Sequence, residues 1–124
     1  MAKILVIDDD RSIRSLLASL LSRKGYQVIL ADNGPEGLEL FRQERPDVIV
    51  LDLKMPGMDG LTVLQHVRRV SLDQPVIMFT GTWTPTMEQQ ARGLGVTELL
   101  KKEFPQDQLE EALKRVLKVP ATVV

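Results

Sequence analysis

The sequence predicts an α/β fold: a three-layer α/β/α sandwich in which helices cover both faces of a five-stranded parallel sheet. Two observations predict it. Three short apolar runs, Ile4-Leu5-Val6-Ile7, Val48-Ile49-Val50-Leu51 and Val76-Ile77-Met78-Phe79, are continuous rather than alternating and rich in β-branched residues, as strands buried on both faces are. Segments of helical period separate them, and strand then helix recurs along the chain, which right-handed crossovers convert into a mostly parallel sheet.

The elements follow in order. After the first strand, Ile13, Leu16, Leu17, Leu20 and Leu21 form one apolar stripe of a first helix, and Gly25 is placed to end it in a left-handed cap. A weaker second strand spans Gln27 to Ala31. Pro35 suits the first turn of a second helix that runs through Leu38 and Phe41 and stops before Pro46. The third strand, Val48 to Leu51, leads to a helix from about Leu61 to Val70. The fourth is followed by a helix from near Pro85 to Gly93–Gly95, and a weak fifth strand covers Glu98 to Lys101. The last helix carries Leu109, Leu113, Val116 and Leu117 on one face. Asp107 and Glu110 have the spacing of a capping box, and Pro120 stops it.

The chain has 124 residues, with 16 basic and 17 acidic side chains and a formal charge of −1. The reading is one domain over residues 1–124, with no output domain. A charge so near zero argues against direct nucleic-acid binding and against a polybasic membrane surface. No cysteine is present, which removes disulfides, thiolate metal sites and a cysteine nucleophile. No signal peptide or membrane span is read, so the expected location is the cytoplasm.

The chemistry collects where strands end. The first strand runs into Asp8-Asp9-Asp10, the third into Asp52, the fourth into Thr80-Gly81 and the fifth into Lys101-Lys102. In a parallel sheet these positions share the carboxyl rim, where open α/β sheets bind ligands. Any of the three consecutive aspartates could cap the first helix, and Asp10 suits that position best. Asp8, Asp9 and Asp52 together would repel without a cation. Hard oxygen ligands with no histidine or cysteine nearby point to Mg²⁺. Asp52 reads either as a turn residue or as a carboxylate nucleophile that takes a phosphoryl group. Thr80 reads as a strand end or as a hydroxyl donor to a phosphoryl oxygen, with Gly81 allowing close backbone approach. Lys102 would neutralise charge on the transferring group. His66 and Trp83 are read as structural.

Asp8-Asp9, the stretch from Val48 through Asp52 to Gly60, Thr80-Gly81 and Lys102 together resemble the receiver domain of two-component response regulators, over nearly the whole chain. The resemblance implies a flavodoxin-like sheet of order 2-1-3-4-5. It implies that Asp52 accepts phosphate from a histidine kinase or histidine phosphotransferase, in a switch that catalyses its own phosphorylation and dephosphorylation. Asp9, Asp52 and the Lys54 backbone carbonyl would ligate Mg²⁺, with Asp8 acting through water, while Thr80, Lys102 and the Gly81 backbone would hold the phosphoryl oxygens. The signal would pass to a downstream effector, with homodimer formation on phosphorylation as one route. Two positions depart from the family. Glu103 follows Lys102 where the family has proline after a cis bond, and a non-proline cis bond costs about 2.5–4 kcal/mol. Leu99 stands where the family tends to have an aromatic that swings inward on activation. These departures leave a second reading open, a phosphorylation-independent interaction module. A Mg²⁺-dependent phosphatase with an aspartyl nucleophile is a third, against which stands the lack of a cap segment.

Overall fold

The computed structural model describes residues 2–102 and 106–117, apart from the side chains of Gln106 and Asp107. Five strands, β1 (Lys3–Ile7), β2 (Gln27–Ala31), β3 (Val48–Leu51), β4 (Val76–Thr80) and β5 (Glu98–Lys101), alternate with α1 (Arg11–Arg23), α2 (Gly34–Glu44), α3 (Gly60–Val70), α4 (Pro85–Gly93) and α5 (Gln106–Val116). All strand pairs are parallel, in the order β2-β1-β3-β4-β5, as the resemblance implied. The three continuous apolar runs are the three central strands, buried throughout except at Lys3, while β2 and β5 form the partly exposed edges.

Alternation along each central strand divides the core. Leu5, Ile7, Ile49, Leu51, Val76 and Met78 face α2, α3 and α4, packing on Leu38, Phe41, Val63, Leu64, Val67 and Ala91. Ile4, Val6, Val48, Val50, Ile77 and Phe79 face α1 and α5, against Leu17, Leu21, Leu109, Ala112 and Leu113. A strand's side-chain period of two puts successive residues on opposite faces, so an unbroken apolar run is what two covering layers require.

Helix ends obey local chemistry. The Asp10 carboxylate accepts from the Ser12 and Ile13 amides and caps α1. Gly25 follows α1 at φ 94°, and the Gly25 and Tyr26 amides return to Ser22 and Leu21. The Asn33 side chain caps α2, and Glu36 reaches back to the Asp32 amide. What ends α2 is Arg45 in the left-handed conformation, one residue ahead of the proline expected to do so. Asp59 and Thr84 cap α3 and α4. The fifth helix already includes Asp107, so that residue lies inside it and is not its N-cap. Glu103 and Pro120 lie outside the described residues. Among the described residues, no helix is long and apolar enough to cross a membrane.

Candidate functional site

The register of the central strands assembles the rim. Ile7 pairs with Leu51 across β1 and β3, so Asp8 and Asp52 leave the sheet side by side. Backbone bonds fix both departures: the Asp52 amide donates to the Ile7 carbonyl (2.9 Å) and the Asp8 amide to the Ala31 carbonyl (3.1 Å). Across β4 and β5, Thr80 pairs with Lys101, and the Lys102 amide then donates to the Thr80 carbonyl (3.0 Å). Residues from four separate strand ends thereby meet.

Asp8 (2 % exposed), Asp52 (5 %) and Thr80 (1 %) are the buried polar or charged residues among those described, and all three stand at this rim. Carboxylate oxygens of Asp8, Asp9 and Asp52 lie within 4.8 Å of one another, with Asp9 on the exposed side. The Lys102 Nζ sits 2.9 Å from Asp8 Oδ2 and 3.3 Å from Asp52 Oδ1. One ammonium among three carboxylates leaves the cluster negative when all are ionised. Burial, and then the Asp8 charge, push the Asp52 carboxyl up to about 6, against the pull of Lys102 and the Thr80 hydroxyl. Burial works against the Lys102 ammonium, but hydrogen bonding and charge from Asp8, followed by Asp52, outweigh it and raise its pKa. This donor set fits a divalent cation: clustered hard oxygens, surplus negative charge and one open side.

The other expected residues are placed as follows. Lys54 is exposed between buried Leu53 and Met55, which anchor its backbone on both sides. The Thr80 hydroxyl is also tied into its own loop, accepting from the Thr82 amide at 3.3 Å. Gly81 is exposed and a Cβ there would meet nothing, so the protein itself sets no need for glycine. His66 and Trp83 are both half-buried.

Two residues escaped the sequence reading. Arg14 Nη1 donates to the Asp8 carbonyl (2.9 Å) and ties α1 to the rim; a cation in the first turns of a helix, where the dipole disfavours it, was the available signal. A Cβ on Gly60 would collide with the Asp52 carbonyl oxygen and approach Leu53 Cα to 2.8 Å. The start of α3 thus rests directly on the Asp52 backbone, with the Gly60 amide 2.7 Å from the Leu53 carbonyl. The signal was a glycine directly after an N-capping aspartate.

Residues 4–114 match the family described as response regulator receiver domain. The chain belongs to that family. This receiver domain is 36 % identical over 115 residues to sporulation initiation phosphotransferase F of Bacillus subtilis, covering 93 % of each chain. It is 40 % identical over 116 residues to the probable transcriptional regulator ycf27 of Guillardia theta, covering 94 % of itself and 45 % of that longer protein. Among solved structures it resembles the chemotaxis protein CheY4 of Vibrio cholerae (TM-score 0.88, 36 % identity, 94 % and 98 % of the two chains). It also resembles the response regulator TrrA of Thermotoga maritima, solved in complex with Mg²⁺ and BeF (TM-score 0.86, 34 % identity, 94 % and 99 % covered).

Proposed function

We propose that this receiver domain is a phosphoryl-accepting switch whose acceptor is Asp52. The observation that carries the reading is the rim itself. A buried carboxylate, held beside two others and one ammonium, keeps its surplus negative charge open on one side. In the proposed step an Asp52 carboxylate oxygen attacks the phosphorus of a phosphohistidine. The new P–O bond forms as the P–N bond breaks, and the imidazole leaves with its electron pair. Only the ionised carboxylate is a nucleophile, so acid should suppress the reaction.

Asp9, Asp52 and the Lys54 carbonyl would hold Mg²⁺ directly, and Asp8 through water. The metal, when bound, supplies charge neutralisation at the phosphoryl oxygens. Lys102, anchored by Asp8, presents its ammonium to the same oxygens, and Thr80 at the end of β4 and the Gly81 backbone just after it donate to them. Dephosphorylation by water at the same site would reset the switch. The partners proposed are a histidine kinase or histidine phosphotransferase upstream and an effector protein or domain downstream, in the cytoplasm. Residues 1–124 are proposed as one receiver unit, without nucleic-acid or membrane binding of its own. The Mg²⁺–BeF complex of TrrA and the phosphotransferase relative support this reading by kinship. Weighing against a phosphorylation-independent module is the retention of every side chain that the chemistry calls for.

The test is incubation with Mg²⁺ and acetyl phosphate, followed by intact mass. A single phosphoryl adduct on the wild type, absent from Asp52→Ala and from metal-depleted samples, is expected. No adduct, or an equal adduct on Asp52→Ala, would refute the proposal.

A further inference from the structure

At the end of the sheet opposite the rim, where the helices finish, the C-terminal turns of α2 and α3 leave a cleft of about 370 Å³. Buried Phe41 and exposed Val70 are its apolar lining, together with Ser71 and Gln74. Val70 is 63 % exposed and Leu72, two residues on, is 79 % exposed, the two most exposed large apolar side chains among the described residues. Nothing from the described chain covers them.

The charged side chains that line the cleft are basic. Arg42 and Arg45 line the cleft, and exposed Arg69 precedes Val70. Arg42 has only a long, exposed ion pair to Glu39 (3.8 Å); Arg45 and Arg69 make no side-chain hydrogen bond or ion pair to the described residues. Of the nearby acids, Glu44 pairs with the Lys3 ammonium (3.2 Å) and Asp47 with the Lys3 amide (2.7 Å), while exposed Asp73, one residue before Gln74, lends its charge to Arg68. Arg45 is also the one non-glycine residue at positive φ (48°) among those described. Glycine or asparagine suits that backbone better, so a guanidinium is displayed at the cleft from a position that disfavours it.

We propose that this cleft docks an acidic, apolar segment of a protein partner. One large apolar side chain of the segment would sit over Phe41 beside Val70, and flanking carboxylates would pair with Arg42, Arg45 and Arg69. The guanidinium fork matches a carboxylate in geometry as well as charge. The volume suits one or two side chains rather than a folded surface. This docking lies at the far end of the sheet from Asp52 and does not depend on the phosphoryl reading.

The experiment is an NMR titration of the ¹⁵N-labelled chain with a capped synthetic peptide that intersperses Asp and Glu with Leu and Phe. Amide shifts confined to residues 41–45 and 69–74 are expected, weakening as salt rises. Val70→Asp should abolish them. The double variant Arg42→Gln/Arg45→Gly should weaken binding about 10-fold, and Arg45→Gly alone should raise the unfolding midpoint while lowering affinity. Absence of shifts, shifts scattered over the surface, equal binding of a Lys-substituted peptide, or affinity untouched by these variants would overturn the proposal. So would capture of this face by phosphatidylserine vesicles in place of the peptide, or self-association that Val70→Asp removes.

Discussion

Two half-buried cations, Arg68 on α3 and Lys102 after β5, stand at opposite ends of the sheet and are satisfied in opposite ways. The Arg68 guanidinium donates to four backbone carbonyls, those of Leu94 (2.7 Å), Gln74 (2.9 Å), Gly95 (2.9 Å) and Ser71 (3.2 Å), and so closes the C-terminal ends of α3 and α4 together. Its partners are neutral, and burial lowers its pKa with only Asp73 opposing. Lys102 has carboxylates for partners, and its pKa is raised. At Arg68 four of the five guanidinium N–H groups are bonded to backbone carbonyls that close two helix ends, which is the signature of architecture. At Lys102 the neutralisation is unfinished, because Asp52 is still pushed up to about 6 beside it. Such residual imbalance is what perturbed carboxylates at functional sites commonly show, and a bound cation would relieve it.

The largest effect should come from breaking the finished end. Arg68→Met leaves four carbonyls with a lost charged donor and should destabilise the fold by about 2–4 kcal/mol. Urea unfolding should show the same loss with and without Mg²⁺. If Mg²⁺ restores that stability, Arg68 is coupled to the rim and the contrast fails.

Relieving the unfinished end comes next. Asp52→Asn removes a buried charge that the fold disfavours and should stabilise the metal-free domain at pH 7 by about 1–3 kcal/mol. The sign follows from the raised folded-state pKa. The Asp52 contribution is fully present below its ordinary value of 3.8 and is lost as pH rises through about 6. Wild type minus Asp52→Asn should therefore grow more unfavourable between about pH 4 and 6 and level off above, as read by thermal unfolding in chelator.

The smallest effect separates the three consecutive aspartates. Asp10 caps α1 and is not in the carboxylate cluster. Asp10→Ala should cost about 1 kcal/mol while leaving the response to Mg²⁺ unchanged, whereas Asp9→Ala should do the reverse. Isothermal titration with Mg²⁺ on both variants distinguishes them.

The two ends were not equally legible in the sequence. Ile4–Ile7, Val48–Leu51 and Val76–Phe79 announce central strands because burial on both faces leaves no room for alternation. The strand order came from the resemblance, since nothing in the local pattern of β2 or β5 says which edge each takes. Asp8, Asp52, Thr80 and Lys102 could be grouped because each ends a strand, and parallel strands share one rim. Arg68, Gly60 and Arg14 could not. Their roles depend on which loop closes over which carbonyl, a relation between residues distant in sequence or set by loop geometry. Arg45 was hidden for a related reason: Pro46 signalled the end of α2, but the backbone turned one residue earlier, at an arginine.

The central claim, that the rim's charge is held unbalanced for a divalent cation, is tested most directly by the unfolding midpoint of wild type and Asp52→Asn at pH 7.5 as Mg²⁺ is added. The Asn variant should begin more stable. The wild type should then rise with Mg²⁺, by about 2.7 kcal/mol at a concentration 100 times its Kd, while the variant responds far less, so that the gap closes. A wild-type midpoint that Mg²⁺ leaves unmoved, or equal rises in both proteins, would contradict it.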